Sequence, residues 1–102
     1  MTHDDQAGSW SELRVRGEVD DENFAHFESL LSAAAAEATA RLTVDLTECE
    51  YINSRVITAL VLTSRARQDG FTVRVRPSGS VFKILEVTGF LNDGTFVRVD
   101  GG

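Results

Sequence analysis

Two kinds of residue pattern alternate along this chain. One is a short alternation of apolar and polar residues, typical of half-buried strands; in the other, apolar residues recur every three or four positions, as in amphipathic helices. The strand patterns lie at residues 13–17, 42–46, 71–75 and 96–99, and the helix patterns lie between them at 24–38, 56–68 and 80–88. Strands that alternate with helices are joined by crossover connections. We therefore predict an α/β fold, with a mostly parallel sheet of about four strands and helices packed on it.

Residues 1–10 are polar and acidic and match neither pattern, so we predict a flexible leader there and one domain over 11–100; whether the leader adds a strand is left open. The total of 102 residues suits one domain with one core.

The leader lacks the basic start and apolar run of a secretory signal, and no apolar stretch approaches the ~20 residues of a transmembrane helix. The one cysteine, Cys49, excludes an intrachain disulfide, and we interpret it as a small half-buried residue. These features predict a cytoplasmic protein without direct membrane insertion.

The charge and motif content exclude several classes of function. The formal net charge is −6, whereas nucleic acids and anionic membranes are bound by clustered Lys and Arg. The chain has no glycine-rich loop of the kind that cradles a nucleotide phosphate, and no nucleophile elbow of the GxSxG type. Its two histidines, His3 and His26, lie in different contexts and lack the spacing of metal ligands. We therefore predict no catalytic residues, no metal and no cofactor, and a function in protein binding rather than catalysis.

The most informative local feature is the strand-to-helix junction at residues 51–57. Asn53 and Ser54 stand at the expected first turn of the second helix, where a side-chain oxygen can accept a hydrogen bond from a free backbone N–H group. A hydroxyl here is also suited to phosphorylation, because a phosphate meets the positive end of the helix dipole. Its negative charge would disrupt an apolar or acidic contact. The residues alone leave both interpretations open, a helix cap and a phosphoacceptor.

Two further segments each allow a structural and a functional interpretation. The acidic residues at 18–22 include Asp20 and Asp21, which either cap the first helix or form an acidic recognition edge. At the end of the third helix, Gly89 and Phe90 either form an exposed apolar contact or cover the edge of the core. The candidates for binding a protein partner are these four residues together with Asn53, Ser54 and Arg55.

Several motifs, in their order and spacing, resemble the anti-sigma factor antagonists, a family with the STAS fold. Residues 17–20 are similar to the Gly-Glu-Leu-Asp opening of that family, and residues 44–46 with 51–54 are similar to its strand and phosphorylation loop. Residues 70–73 look like the segment that follows the second helix of that family. Residues 81–90 look like its third helix. The resemblance covers nearly the whole chain and implies a STAS-like fold.

The resemblance also implies a partner and a mechanism. Members of the family bind a serine kinase that is also an anti-sigma factor, and so free the sigma factor that regulates transcription. Phosphorylation of the loop serine ends this binding, and a phosphatase restores it. Carried over to this sequence, the phosphoacceptor is Ser54, Asn53 takes the place of the family's aspartate, and Asp20 helps to contact the partner.

The loop departs from the family pattern where phosphorylation would occur. The usual loop is Asp-Ser-Ser/Thr-Gly, whereas residues 53–56 are Asn-Ser-Arg-Val. Arg55 adds a charge that can pair with a phosphate or with an acidic partner. Loosened loops of this kind occur in stressosome-type STAS proteins, and other STAS domains pack on lipid-transport ATPases or anion transporters. A scaffold or accessory subunit without phosphorylation is therefore the alternative, and the oligomeric state is left open.

Overall fold

The computed structural model describes residues 2–6, 10–37, 41–67, 70–77, 79–90 and 94–99. Its elements are β1 (Thr2–Gln6), β2 (Trp10–Val19), α1 (Phe24–Glu37), β3 (Arg41–Ile52), α2 (Ser54–Arg67), β4 (Phe71–Val75), α3 (Ser80–Thr88) and β5 (Phe96–Arg98). From β2 onward, strands and helices follow one another in the order that the residue patterns predict.

The sheet has the strand order β1-β2-β3-β4-β5. Strands β2 to β5 run parallel to one another, so the predicted α/β fold with a mostly parallel sheet is confirmed. Strand β1 lies antiparallel to β2, with Thr2 opposite Arg16 and Gln6 opposite Glu12. It falls within the segment predicted as a flexible leader, where its five polar residues carry no apolar alternation to mark a strand. The boundary between leader and domain at residue 10 stays a prediction.

One face of the sheet forms the core together with the helices. Leu13, Val44, Val73 and Phe96 lie side by side across four strands, and all four are buried. The helices bury the residues whose three- and four-residue spacing predicted them. These are Phe24, Phe27, Leu31 and Ala34 in α1, Val56, Ile57, Leu60 and Val61 in α2, and Val81 and Leu85 in α3.

The other face of the sheet carries a network of four charged side chains. Arg14, Asp45 and Arg74 are aligned across three strands, and Glu12 lies beside them. Arg14 approaches Glu12 at 3.1 Å and Asp45 at 3.7 Å, and Arg74 approaches the same two carboxylates at 3.7 and 3.8 Å. Asp45 is only 5% exposed and also accepts hydrogen bonds from the backbone N–H and the hydroxyl of Thr47, at 2.8 and 2.6 Å. Each buried carboxylate is thus paired with two arginines, as buried charges require.

Strand β3 is longer than its residue pattern predicts. The alternation ends at residue 46 and is followed by what the sequence indicates as a polar turn, whereas β3 continues to Ile52. Its register against β2 shifts twice, first between Arg14 and Arg16 and again between Gly17 and Glu18. Each shift accommodates one extra residue of β3, which is the definition of a β-bulge. Bulges interrupt the two-residue alternation of apolar and polar residues. The residues after 46 therefore lack the pattern that predicts a strand, and their polar composition indicates a turn instead.

Gly89 ends α3 in a left-handed conformation. Its φ is 84°, and its N–H group donates a hydrogen bond to the Glu86 carbonyl at 3.2 Å. A β-carbon at Gly89 would meet no atom within 4 Å, so only backbone strain opposes a larger residue. We expect Gly89→Ala to lower the free energy of unfolding by about 1 kcal/mol, measured by urea denaturation. Gly94→Ala is the matched control, because its β-carbon is equally unhindered and its φ is not left-handed; an equal loss in both variants would contradict this explanation.

Candidate functional site

The ends of two parallel strands bring most of the candidate residues together. Val19, the last residue of β2, pairs with Ile52, the last residue of β3. The segments that follow these two strands therefore leave the same edge of the sheet. Asp20 and Asp21 lie in the first segment and Asn53 lies in the second, so α1 and α2 begin next to each other.

The turn before α1 is held by Asp20 and Asn23. The Asp20 carboxylate accepts hydrogen bonds from the N–H groups of Glu22 and Asn23, at 3.0 and 3.2 Å. The Asn23 side chain returns the contact, accepting from the Asp20 N–H group at 2.9 Å and donating to the Glu18 carbonyl at 2.9 Å. These bonds of Asp20 close the turn before α1 and do not reach an N–H group of the helix itself, whose Phe27 N–H group donates to the Asn23 carbonyl at 3.1 Å. The predicted role of Asp20 in partner binding stays a prediction.

The start of α2 is capped by Asn53, which leaves Ser54 uncommitted. The Asn53 side-chain oxygen accepts a hydrogen bond from the Val56 N–H group at 3.1 Å, and its carbonyl accepts one from the Ile57 N–H group at 3.4 Å. Ser54 is the first residue of α2 and is exposed. None of the other described residues forms a hydrogen bond with its hydroxyl. Of the two residues that the sequence offers as a helix cap, Asn53 caps α2, and Ser54 is exposed to solvent.

A small polar cluster joins the starts of the two helices, and we call it the Asp21 cluster: Asp21, Phe24, Asn53 and Arg55. The Asn53 amide donates a hydrogen bond to the Asp21 carboxylate at 2.9 Å, and Arg55 Nη1 lies 3.9 Å from the same oxygen. The Arg55 guanidinium also stacks over the Phe24 ring, with its central carbon 4.4 Å from the ring centroid. The spacing of Phe24 matches the buried stripe of α1 and predicts a core residue, with no signal of this contact to Arg55.

A shallow groove of about 320 Å³ runs between α1 and α2 next to this cluster. Ser54 and Arg55 stand at the start of the groove, Phe24 forms part of its wall, and Leu62 lies on α2 two turns further along. Leu62 is 58% exposed, so it offers an apolar surface to the groove. Sequence reasoning missed this residue, although its place outside the buried stripe of α2 was a signal that it faces outward.

Gly89 and Phe90 lie at the end of α3. Gly89 caps the helix, and Phe90 is half-buried and packs against the core, which is the structural interpretation of this segment. No hydrogen bond or ion pair among the described residues links either of them to the Asp21 cluster. Leu91, which the sequence places in the same segment, lies outside the described residues.

A larger cavity, of about 500 Å³, lies at the start of α3. Arg16, Arg76 and Cys49 line it, but Arg16 is already paired with Glu48 at 2.6 Å. Burial raises the pKa of the Cys49 thiol, and its sulfur donates a hydrogen bond to the Tyr51 carbonyl at 3.3 Å. A thiol in this state is a poor nucleophile near neutral pH. We therefore place the candidate site at the groove between α1 and α2 and not in the larger cavity.

Within the described ranges, no group of three or more His, Cys, Asp or Glu side chains is arranged to hold a metal ion. The helices of the same ranges include none with the length and apolar character needed to cross a membrane.

Comparison with known proteins places this architecture in a family. A family model described as "Mlab, STAS domain" matches residues 2–97. No curated protein matches the chain. The chain is similar to a solved structure of the anti-sigma factor antagonist SpoIIAA in its unphosphorylated form, with a TM-score of 0.69 and 15% identity over 96% of this chain and 88% of that chain.

A second similar structure is an uncharacterised protein of the DUF3478 family from Shewanella loihica PV-4, which has a SpoIIAA-like fold. The TM-score is 0.54 and the identity 13%, over 98% of this chain and 85% of that chain. At such low identities, the likeness to both structures establishes the fold and nothing finer. The family model covers nearly the whole chain, and so this protein belongs to the STAS domain family, with the fold of SpoIIAA.

Proposed function

We propose that this chain is a regulatory protein–protein interaction module whose docking surface is the Asp21 cluster and the adjoining groove, switched by phosphorylation of Ser54. A single observation carries the proposal: the Ser54 hydroxyl is exposed at the first residue of α2 and is not used for capping, because Asn53 caps the helix. A hydroxyl in this position is accessible to a kinase without any unfolding of the domain.

Phosphorylation would change the charge of the docking surface while leaving the fold intact. A kinase would transfer the terminal phosphoryl group of a nucleoside triphosphate to the Ser54 oxygen; the new O–P bond forms as the bond to the nucleoside diphosphate breaks, and the hydroxyl proton is lost. The phosphate adds nearly two negative charges at a helix start, where the dipole tolerates them. The groove presents the exposed Arg55 cation and the apolar side chain of Leu62 beside Ser54, so the added negative charge would end docking with an acidic or apolar partner surface.

The kind of partner we propose is a serine kinase that is also an anti-sigma factor, with a phosphatase to reset the switch. The motif resemblance and the SpoIIAA fold support this choice. Asp20, Asp21, Asn53, Ser54 and Arg55 would form the contact, all close to one edge of the sheet. Gly89 and Phe90 would belong to it only if the partner also covers the end of α3.

The second candidate is a STAS accessory subunit that packs on another protein such as a lipid-transport ATPase; the matching family model is described as "Mlab, STAS domain" and not as an anti-sigma factor antagonist. The departure of residues 53–56 from the usual phosphorylation loop is consistent with this candidate. Ser54 would then be part of a fixed contact. A stressosome-like scaffold is the other form of this alternative, and it would also need no phosphate.

Affinity capture from the native host, with partners identified by mass spectrometry, tests these proposals. We expect Ser54→Ala to retain the partner and Ser54→Asp to lose it by tenfold or more, about 1.4 kcal/mol of binding. Ser80→Asp is the matched control, because Ser80 is also the exposed first residue of a helix. Phosphate-affinity electrophoresis of the native protein shows whether Ser54 is modified. Equal capture by Ser54→Asp and wild type would reject the switch, and an ATPase in place of a kinase would select the accessory subunit.

A further inference from the structure

Arg55 makes two contacts that leave its charge exposed to solvent. Its distance to Asp21 is 3.9 Å, and the two side chains are 60% and 82% exposed, so water and salt screen the ion pair. Its second contact is the stacking of the guanidinium on the Phe24 ring at 4.4 Å, and this ring is itself buried. Asp21 does not depend on Arg55, because the Asn53 amide holds the same carboxylate at 2.9 Å. Arg55 can therefore move without leaving a buried charge unpaired.

Ser54 and Arg55 share one side of the groove between α1 and α2. Neighbouring residues of a helix ordinarily point in different directions. Here both residues lie in the first turn of α2 and line the same groove, and the arginine side chain is long enough to turn toward its neighbour. A phosphate on Ser54 would therefore stand within reach of the Arg55 guanidinium.

We propose that Arg55 is the receptor within this chain for a phosphoryl group on Ser54, and that it leaves Asp21 and the Phe24 ring to bind the phosphate. This inference rests on the proposed switch at Ser54 and deepens it. A phosphate dianion offers a guanidinium two parallel, charge-assisted hydrogen bonds, which are stronger than one exposed contact at 3.9 Å. Phosphorylation then has two effects: it adds negative charge, and it removes the cation that the groove presents beside Phe24.

The test uses the full chain with phosphoserine incorporated genetically at position 54, so that no native kinase is needed. Phosphorus NMR follows the second ionisation of the phosphate, which has a pKa of about 6 in an unperturbed phosphoserine. A guanidinium bound to the phosphate favours the dianion, so we expect a second pKa lower by about half a unit in the wild type than in Arg55→Gln. Arg55→Lys, which keeps the charge but loses the two-pronged geometry, should lie in between.

Arg65→Gln is the matched control, because Arg65 is an exposed arginine in the last turn of the same helix. It should leave the pKa of the phosphate at its wild-type value. Nitrogen NMR of the wild type gives a second readout that needs no variant: the Arg55 Nε–H resonance should shift when Ser54 carries the phosphate. An equal phosphate pKa in wild type and Arg55→Gln, with no shift of that resonance, would overturn the inference. A finding that the native protein is never phosphorylated at Ser54 would reject the proposed switch, but it would not affect the contact between Arg55 and a phosphate measured in this test.

Discussion

Leu60→Ala should lower the free energy of unfolding by about 2–5 kcal/mol, because it removes a buried side chain and leaves a cavity behind. Leu60 is 0% exposed and belongs to the buried hydrophobic cluster to which both the sheet and the helices contribute. Urea denaturation followed by circular dichroism measures the loss, with an unchanged slope showing that the unfolding transition itself is the same.

Leu62→Ala is the control for this experiment, since it makes the same chemical change two residues away on the same helix. Leu62 is 58% exposed, so its truncation should change the stability by no more than about 0.5 kcal/mol. Leu62 lines the proposed docking groove, so the same variant should still weaken partner capture. A destabilisation of Leu62→Ala as large as that of Leu60→Ala would contradict the packing of α2 described above.

Asp45→Ala should cost about 2–3 kcal/mol of stability. The carboxylate lies between Arg14 and Arg74 and also accepts two hydrogen bonds from Thr47. Its removal leaves Arg14 Nε, which already lacks a hydrogen bond among the described residues, without its ionic partner. Thermal denaturation should show a fall in Tm of roughly 8–20 °C for a domain of this size.

Two variants separate the causes of that loss. Asp45→Asn keeps an oxygen that can accept from Thr47 but removes the charge, so it should lose less stability than Asp45→Ala. Glu48→Ala breaks a 2.6 Å ion pair with Arg16 whose side chains are 50% and 40% exposed, so it should cost at most about 1 kcal/mol. Equal losses in Asp45→Ala and Glu48→Ala would show that burial of the carboxylate does not matter.

The parts of the fold that sequence analysis predicted are those governed by apolar periodicity. The buried stripe of α2 and the alternation of Phe71–Val75 are both visible in the residues, because each buried side chain there is apolar. Strand β1 was not predictable in this way, since it is defined by backbone pairing of polar residues. The extension of β3 was missed for a related reason: its bulges shift the alternation on which the prediction depends.

The candidate site was predictable in position but not in its contacts. The strand-to-helix junction around Ser54 follows from the residue pattern, and the exposed hydroxyl is found there. The contact of Asn53 with Asp21 joins residues 32 positions apart and depends on the register of β2 and β3, which periodicity does not reveal. The stacking of Arg55 on Phe24 likewise requires the two helices to start at the same edge.

The two irregularities of β3 allow the strand to hold extra residues without reversing its faces. Between the buried pair Leu13 and Val44 and the buried pair Val19 and Ile52, β3 has two residues more than β2. The buried residues Leu46, Cys49 and Ile52 follow one another at steps of three, so each bulge absorbs one residue and keeps the next inward position. Loss of one residue at a bulge should therefore remove that bulge and leave Ile52 on the inner face. Loss of one residue from the regular stretch 42–46 should instead turn the remainder of the strand over, because side chains alternate there with a period of two.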